Sequence, residues 1–303
     1  MATILISGGS GLIGKTLTKR LAFRGHTVQW LSRNPNKEAA IPTFSWDIDK
    51  NHIDKEAITS ANYIIHLAGE GIANKRWTPK RKQEIIESRT QSCALLYEKV
   101  KEYNPNLKAF ISASAIGYYG AITTKHTFQE SDPPANDFLG QVCLLWEQAA
   151  FAFETLSIRT VILRTGIVLT RSGGPLAKMA LPVKLGLGAS LGNGQQSMPW
   201  IHIDDLCNMY VKAIEDSEMN GVYNAVSPEP ATNHSFMKKL ARCLKKPFWP
   251  IGIPAFLLKI IYGEMAIMLL TGSKVSANKI IKQGFEFQFP TLLSALKNLL
   301  PKN

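Results

Sequence analysis

Residues 4–14, Ile-Leu-Ile-Ser-Gly-Gly-Ser-Gly-Leu-Ile-Gly, constrain the fold more than any other stretch of this chain. The apolar run at 4–6 predicts a buried strand. Glycines at 8, 11 and 14 follow, and a helical pattern runs over 12–24. A strand that turns this tightly into a helix leaves free backbone N–H groups at the helix start, where a pyrophosphate can sit. Gly8 makes the turn, Gly11 lets the backbone approach the phosphates, and Gly14 lets the helix lie close to the strand. Ser10, Leu12 and Ile13 share this turn and count with the glycines as cofactor-binding candidates. The strand before the motif, and the helix and second strand after it, separate it from an ordinary glycine-rich turn.

The alternation continues. Strands are predicted at 27–32, 63–67, 109–113 and 159–164, and helices at 79–103 and 142–155. Apolar strands alternating with helices mean an α/β fold: a Rossmann-type, doubly wound parallel sheet with helices on both faces. Ligands of such sheets bind beyond the carboxyl ends of the strands. The unusual residues fall there, at 8–14, 32–33, 68–70, 112–119 and 164–166. After about residue 165 the pattern loosens into helices at 204–216, 233–244, 254–271 and 291–299. Residues 1–165 therefore read as the nucleotide-binding core. Residues 166–303 read mainly as a small C-terminal substrate lobe, with late segments returning to the core.

The second strand ends Trp30-Leu31-Ser32-Arg33-Asn34, with no acid at its tip to take ribose hydroxyls. An arginine there welcomes a 2′-phosphate through charge-assisted hydrogen bonds, and Ser32 adds a hydroxyl. This favours NADP(H) over NAD(H); the alternative is that Arg33 is a solvated surface residue. Asp47, after Phe44-Ser45-Trp46, reads either as a contact to the adenine edge or as a turn aspartate.

Composition excludes several classes. Hydrophobic residues make up 45% of the 303, which rules out wholesale disorder. The four cysteines (93, 143, 207 and 243) form no C-x-x-C pair, so neither a metal site nor a disulfide framework is indicated; reduced thiols point to the cytoplasm. The amino-terminal apolar run reads as a strand and not as a leader. The net charge is +12, and from Met237 to Lys302 eleven Lys/Arg stand against two acids. That surface reads as a solvated basic face, the alternatives being phosphates, nucleic acid or an anionic membrane. No nucleic-acid-reading motif accompanies it, so no nucleic-acid partner is expected. Residues 253–272 are apolar, but Pro254, Lys259, Gly263 and Glu264 interrupt them. Two amphipathic helices packed on the body are expected there, with no transmembrane segment.

Further motifs run through the chain in order: Asn62-Tyr63-Ile64-Ile65-His66-Leu67-Ala68-Gly69-Glu70, Lys75-Arg76-Trp77-Thr78, Glu84…Ser88-Arg89, Ser112-Ala113-Ser114-Ala115-Ile116-Gly117-Tyr118-Tyr119-Gly120, Leu163-Arg164-Thr165-Gly166-Ile167-Val168-Leu169, Trp200-Ile201-His202-Ile203-Asp204-Asp205-Leu206 and Gly284-Phe285-x-Phe287-x-Phe289-Pro290. With the glycine turn, these resemble the extended short-chain dehydrogenase/reductase superfamily, in particular its atypical "epimerase family protein" branch of NAD-dependent epimerase/dehydratase-like proteins. The resemblance implies NADP(H) held between the strand ends and the C-terminal lobe. It implies that Ser32 and Arg33 hold the adenosine phosphate end, and that Leu67, Ala68 and Gly69 line the cofactor. Glu84 and Arg89 would lie near the nucleotide, and Val168 near the nicotinamide. The alternatives are packing for Leu67, Ala68 and Val168, and a helix-surface pair for Glu84 and Arg89.

Enzymes of this superfamily use Ser, Tyr and Lys, the tyrosine moving the proton while hydride moves to or from the nicotinamide. Ser114 matches the serine. Counting back from Glu147 puts Leu139 at the tyrosine and Cys143 at the lysine, and neither can do that work. Tyr118 and Tyr119 are the substitute candidates for the catalytic acid; an aromatic pocket wall is the alternative. Glu70 lies on a segment that faces the pocket in relatives. So does His202, which reads as structural, tying the lobe to the sheet through Asp204 or Asp205. The expected function is that of an NADP(H)-dependent oxidoreductase or epimerase-like enzyme. It would act on an unknown small polar or sugar-like molecule, in a possible homodimer formed through the helices at 79–103 and 142–155. The alternative is a catalytically silent NADP(H)-binding sensor or scaffold.

Overall fold

The computed structural model describes residues 1–36 and 38–300. The first half builds β1 (Thr3–Ser7), α1 (Leu12–Phe23), β2 (Thr27–Ser32), β3 (Thr43–Asp47), β4 (His52–Ile53), α2 (Lys55–Ser60), β5 (Tyr63–His66), α3 (Pro79–Tyr103), β6 (Ala109–Ala115), β7 (Thr127–Phe128) and α4 (Phe138–Phe151). The second half builds β8 (Arg159–Thr165), β9 (Ile167–Leu169), α5 (Gly174–Lys184), β10 (Trp200–His202), α6 (Ile203–Glu215), β11 (Gly221–Ala225) and α7 (Asn233–Cys243). It continues with α8 (Ala255–Tyr262), α9 (Ile267–Leu270), β12 (Lys274–Val275), α10 (Asn278–Lys282) and α11 (Leu292–Leu299).

Eight strands form the central sheet in the order β11-β8-β6-β5-β1-β2-β3-β4. Every neighbouring pair is parallel except β3 and β4. Side chains alternate between the two faces, as a pleated strand requires. Ile4, Ile6, Ile65, Ile111 and Leu163 pack towards α1 and α6, while Leu5, Ile64, Phe110 and Ile162 pack towards α2, α3 and α4. Both faces are therefore covered, which is why these strands read as continuous apolar runs. The chain order reverses at β1, between β5 and β2, and that is where an α/β sheet opens a crevice.

The carboxyl half of the chain does two things. β11 returns to the edge of the main sheet beside β8, and α6 packs on α1, held by the Arg20–Asp204 and Arg24–Glu215 ion pairs at 2.8 Å each. Around the buried Trp200 and Phe236, α5, α7 and α11 form a separate core, while Ile280 of α10 packs into the main one.

Two predicted helices differ from the structure by more than a residue or two. The helix expected over 142–155 begins four residues earlier, at Phe138, because Asp137 caps it by accepting the Gly140 N–H at 2.8 Å; it ends at Phe151 and passes into a 3-10 turn. Gly140 belongs inside the helix rather than before it, since a Cβ there would lie 2.1 Å from the Ala135 carbonyl oxygen. The apolar stretch at 254–271 gives α8, a 3-10 turn and the single-turn α9. Of the eight residues of α8 only Leu258 is buried, so α8 does not pack as an amphipathic helix.

Candidate functional site

The glycine turn is built by exclusion. Gly8 has φ +75°, and a Cβ on it would lie 2.9 Å from the backbone of Leu67 and Ala68. At Gly14 a Cβ would lie 2.5 Å from the carbonyl oxygens of Gly8 and Gly9. The turn closes through a Gly11 N–H bond to the Gly8 carbonyl at 3.0 Å. Gly11 is the N-cap of α1, and no side chain caps this helix end. The first amides of α1 thus point outward with the positive end of the helix dipole and no acid in the first turn. Ser10 and Gly11 are exposed and Leu12 and Ile13 half-buried. Ser10, Gly11 and Leu12 line one end of a groove of about 870 Å³ that runs along the outer flank of α1 past Lys15, Lys19 and Arg20 to Asp204. That groove touches the crevice only at the turn.

At the tip of β2, Ser32 is half-buried and its hydroxyl accepts the Asn34 N–H at 3.1 Å. Arg33 is exposed and makes no ion pair among the described residues. Asp47 is a turn aspartate: it accepts the Lys50 N–H at 3.2 Å and pairs with the Lys50 ammonium at 3.1 Å, bonds that hold its carboxyl below the usual range.

Beyond β5, residues 69–71 are pinned to Arg81, Ser88 and Arg89 of α3. Leu67 and Ala68 press their backbone against Gly8, and Gly69 abuts the Arg89 side chain. Arg89 is buried, donates to the carbonyls of Glu70 (3.0 Å) and Ile85 (2.8 Å), and stacks 4.9 Å from the Trp146 ring centre. Among the described residues its Nε has no partner, and neither does the buried Trp146 Nε1. Glu84 and Arg89 do not pair with each other. Instead Glu84 and Glu70 both engage the buried Arg81, at 3.0 and 2.9 Å.

Beneath this loop lies a residue to which the sequence assigned no role. His66 is fully buried; its Nδ1 is 2.6 Å from the Ser7 hydroxyl and its Nε2 3.1 Å from the Ser92 hydroxyl. Ser92 donates its proton to the carbonyls of Ser88 and Arg89, so His66 donates from Nε2 and accepts from Ser7 at Nδ1. Burial, with the nearby charge of Arg89, lowers the imidazole to about 4 and keeps it neutral. Ser7 and His66 face each other in register across β1 and β5, so the histidine joins the foot of the glycine turn to the α3 turn that carries Arg89.

The other side of the crevice is a row across three strands: Ser114 on β6, Arg164 on β8 and Asn224 on β11 lie in register. Glu147, buried on α4, accepts from the Ser114 hydroxyl (2.7 Å) and twice from Arg164, through Nε and Nη2, at 2.8 Å each. Arg164 also donates to the Tyr119 hydroxyl at 2.9 Å, and Tyr119 donates to Asn224 at 2.7 Å. Burial pushes the Tyr119 phenol up to about 12. Burial disfavours the Arg164 charge, but the hydrogen bonds and charge of Glu147 outweigh that and raise its pKa. Tyr118 lies against the guanidinium, its ring centre 3.4 Å from the Arg164 central carbon. Burial raises its phenol and Arg164 opposes the rise.

The Ile116–Tyr119 turn sits on α4, where a Cβ at Gly117 would lie 3.4 Å from Leu139 and 3.5 Å from the Cys143 sulfur. Burial pushes the Cys143 thiol up to about 12, so it is neither a cation nor a thiolate. Val168 lies in β9, paired with Ile201, and is half-buried against the main core. His202 caps α6: its Nδ1 accepts the Asp204 N–H (3.0 Å) and its Nε2 donates to Asn298 (3.1 Å), while the ring stacks on Phe289. It therefore ties α6 to α11, and Asp205 makes the neighbouring tie by accepting the N–H groups of Gln288 and Phe289.

The structure thus gathers the glycine turn, Leu67–Gly69, Glu84 and Arg89 on one side of the crevice and Ser114, Tyr118 and Tyr119 on the other. Among the residues that sequence reasoning passed over, Glu147 was visible only as a counting mark in a helix. Asn224 carried no local signal, because its partners are distant in the chain.

The family model described as NAD dependent epimerase/dehydratase family matches residues 4–225, and a domain of unknown function matches residues 253–299. The chain is 35% identical over 301 residues to the epimerase family protein SDR39U1 of Mus musculus, covering 98% of this chain and 99% of that one. It is 33% identical over 298 residues to the epimerase family protein YfhF of Bacillus subtilis, covering 98% and 97%. The crystal structure of human epimerase family protein SDR39U1 with NADPH superposes with a TM-score of 0.87 at 32% identity, over 98% of each chain. The UDP-glucose 4-epimerase of Thermus thermophilus, at 18% identity and a TM-score of 0.76, shares the fold.

Proposed function

The chain belongs to the NAD dependent epimerase/dehydratase family, and from that premise we propose that it binds NADP(H) and works as an oxidoreductase of the extended short-chain type with a non-standard proton donor. The observation that carries this reading is the uncapped start of α1 above a turn into which no Cβ fits, a ready cradle for a pyrophosphate. The orphaned Nε of buried Arg89 adds a donor in need of a partner. The residues that would hold the cofactor are the Gly8–Gly14 turn with Ser10, Leu12 and Ile13, then Ser32 and Arg33 at the 2′-phosphate, Leu67, Ala68 and Gly69, Glu84, Arg89 and Val168. The human relative crystallised with NADPH supports the phosphorylated coenzyme, as does the free Arg33. When bound, the nicotinamide supplies hydride exchange with a carbonyl or alcohol.

The protein's own task is then to move one proton. Ser114 donates its hydrogen bond to Glu147 and Tyr119 donates its own to Asn224, so both are held as orienting groups. Tyr118 takes no part in those two bonds and lies against the Arg164 guanidinium, which opposes the rise that burial imposes on its phenol; it is the acid of this proposal. The substrate is a small polar or sugar-like carbonyl compound, and the four free cysteines fit a reducing cytoplasm.

A second reading has its own observation in favour: Leu139 and Cys143 stand where the usual Tyr and Lys would be, which suits a coenzyme-binding protein without turnover. One experiment separates the two. Purified protein is given NADPH and a panel of aldehydes, ketones and keto-sugars, alongside the Tyr118→Phe variant. Turnover that the variant loses, with NADPH binding kept, supports the enzyme. Tight binding without turnover of any substrate supports the silent reading, and no NADPH binding by calorimetry removes both.

A further inference from the structure

The helix α8 presents an anomaly. Its sequence, Ala-Phe-Leu-Leu-Lys-Ile-Ile-Tyr, is apolar nearly all round, yet only Leu258 is buried. A helix of that composition is ordinarily covered on every side. Here Phe256 is 61% and Ile260 68% exposed. The face extends beyond the helix. Residues 186–192 run beside 248–253, joined by Trp249 N–H to Gly188 (2.7 Å), Ile253 N–H to Ser190 and Gly192 N–H to Ile253 (both 2.8 Å). That pairing brings exposed Leu185 and Leu187 beside exposed Trp249 and Ile251, and the chain then enters α8 directly.

The pose is held rather than loose. Trp249 donates its indole N–H to the Gly186 carbonyl at 2.8 Å. Arg76 donates to the carbonyls of Ile260 and Ile261 (2.8 and 2.6 Å), and Lys82 pairs with Glu264 at 2.6 Å.

Within the face itself the charge has one sign, and the neighbouring Glu264 is already paired with Lys82. The segments 178–192 and 245–262 contain Lys178, Lys184, Lys245, Lys246 and Lys259 and no Asp or Glu. A second copy presenting the same face would set lysines against lysines with no acid opposite, which disfavours a two-fold self-contact. Nucleic acid would use the lysines but gain nothing from the exposed aliphatic side chains of Leu185, Leu187, Ile251 and Ile260. Apolar prongs with an interfacial tryptophan and flanking lysines match an acyl boundary beneath anionic headgroups. Among the described residues no helix is long and apolar enough to cross a membrane. We propose that this face, Leu185–Leu187, Trp249–Ile251 and α8, docks on the surface of an anionic lipid bilayer without spanning it. The docked helix adjoins the segment whose Met265 and Met268 pack against Trp77 and Leu139, so the site's edge lies next to the membrane.

The test is co-sedimentation of the full chain with vesicles of phosphatidylcholine alone and of phosphatidylcholine with phosphatidylserine. Binding to the mixed vesicles that weakens with salt is expected. The Phe256→Ser/Ile260→Ser variant should bind about ten-fold more weakly or worse. Lys245→Gln/Lys246→Gln should lose about five-fold per lysine. Both variants change only exposed side chains, and unchanged thermal melts confirm their folds. Failure to bind either vesicle overturns the proposal, as does equal binding to both. Sedimentation showing a dimer that the Phe256→Ser/Ile260→Ser variant dissolves overturns it in favour of a second copy. Retention on RNA or DNA without vesicle binding overturns it in favour of nucleic acid.

Discussion

On the β1 side of the crevice the start of α1 leaves backbone amides uncapped, in a turn where no side chain fits among Gly8, Gly14 and residues 67–68. On the β6–β8 side they are side chains that face one another: Ser114, Glu147, Arg164, Tyr119 and Asn224 close a chain of hydrogen bonds with both carboxylate oxygens and the guanidinium taken. The first region leaves its donors open for something that arrives. The second has satisfied its own, and a buried network that is complete holds geometry instead of titrating. The difference separates what the fold binds from what the fold needs in order to stand.

Breaking each side should therefore produce opposite phenotypes. Glu147→Ala would leave the Arg164 charge buried without its partner and should cost about 3–5 kcal/mol in urea denaturation. Gly14→Val, with a Cβ 2.5 Å from two carbonyl oxygens that cannot withdraw, should abolish NADPH binding in calorimetry, with an overpacking loss of about 1–3 kcal/mol in stability. If Glu147→Ala instead unfolds at the wild-type urea midpoint, the network is not what holds this half of the sheet.

His66 sharpens the comparison, because it is a side-chain device on the backbone side. Its imidazole is neutral in the fold, lowered to about 4 from 6.5. Below pH 6.5 the unfolded chain takes up a proton that the folded chain refuses until about pH 4. Stability is therefore full above pH 6.5 and falls by about 3 kcal/mol on the way down to pH 4. The difference between wild type and His66→Gln, measured by denaturation across that window, isolates this slope from that of His202, which burial also lowers.

Within the open half, Arg33 is the charged group whose proposed role separates the two coenzymes. Arg33→Ala should weaken NADPH by about 1.5–3 kcal/mol, the worth of a charge-assisted hydrogen bond, and leave NADH nearly unchanged. Equal losses for both coenzymes would return Arg33 to the solvated surface.

How much of this was legible follows the same division. The glycine turn, the parallel core strands and the Ser32-Arg33 tip are local: two to eleven consecutive residues carry the whole signal. The Ser114–Arg164–Asn224 row is not, since register brings together residues 50 and 60 positions apart on three strands, and Glu147 reaches them from a helix. α4 starts before the apolar spacing shows it, because the Asp137 cap and the close fit of Gly140 against Ala135 are contacts that spacing does not carry. β3 and β11 escaped because Thr43–Asp47 and Gly221–Ala225 each mix polar and apolar residues, as edge-proximal strands do. α8 was given a buried face because amphipathic periodicity presumes a partner that the chain itself does not supply.

The smallest expected effect tests whether the closed half also serves chemistry. Ser114→Ala removes one hydrogen bond from Glu147 but leaves the paired bonds from Arg164, so about 0.5–1.5 kcal/mol of stability should go. Turnover is the sharper reading. A serine that only completes the network would leave NADPH oxidation where its small stability loss puts it. A serine that also orients the substrate carbonyl would lower kcat steeply while coenzyme affinity stays put, because the residues proposed to grip the coenzyme stand on the other side of the crevice. The fall in kcat at unchanged coenzyme affinity would mark a point where the hydrogen-bonded network itself turns outward, beside Tyr118.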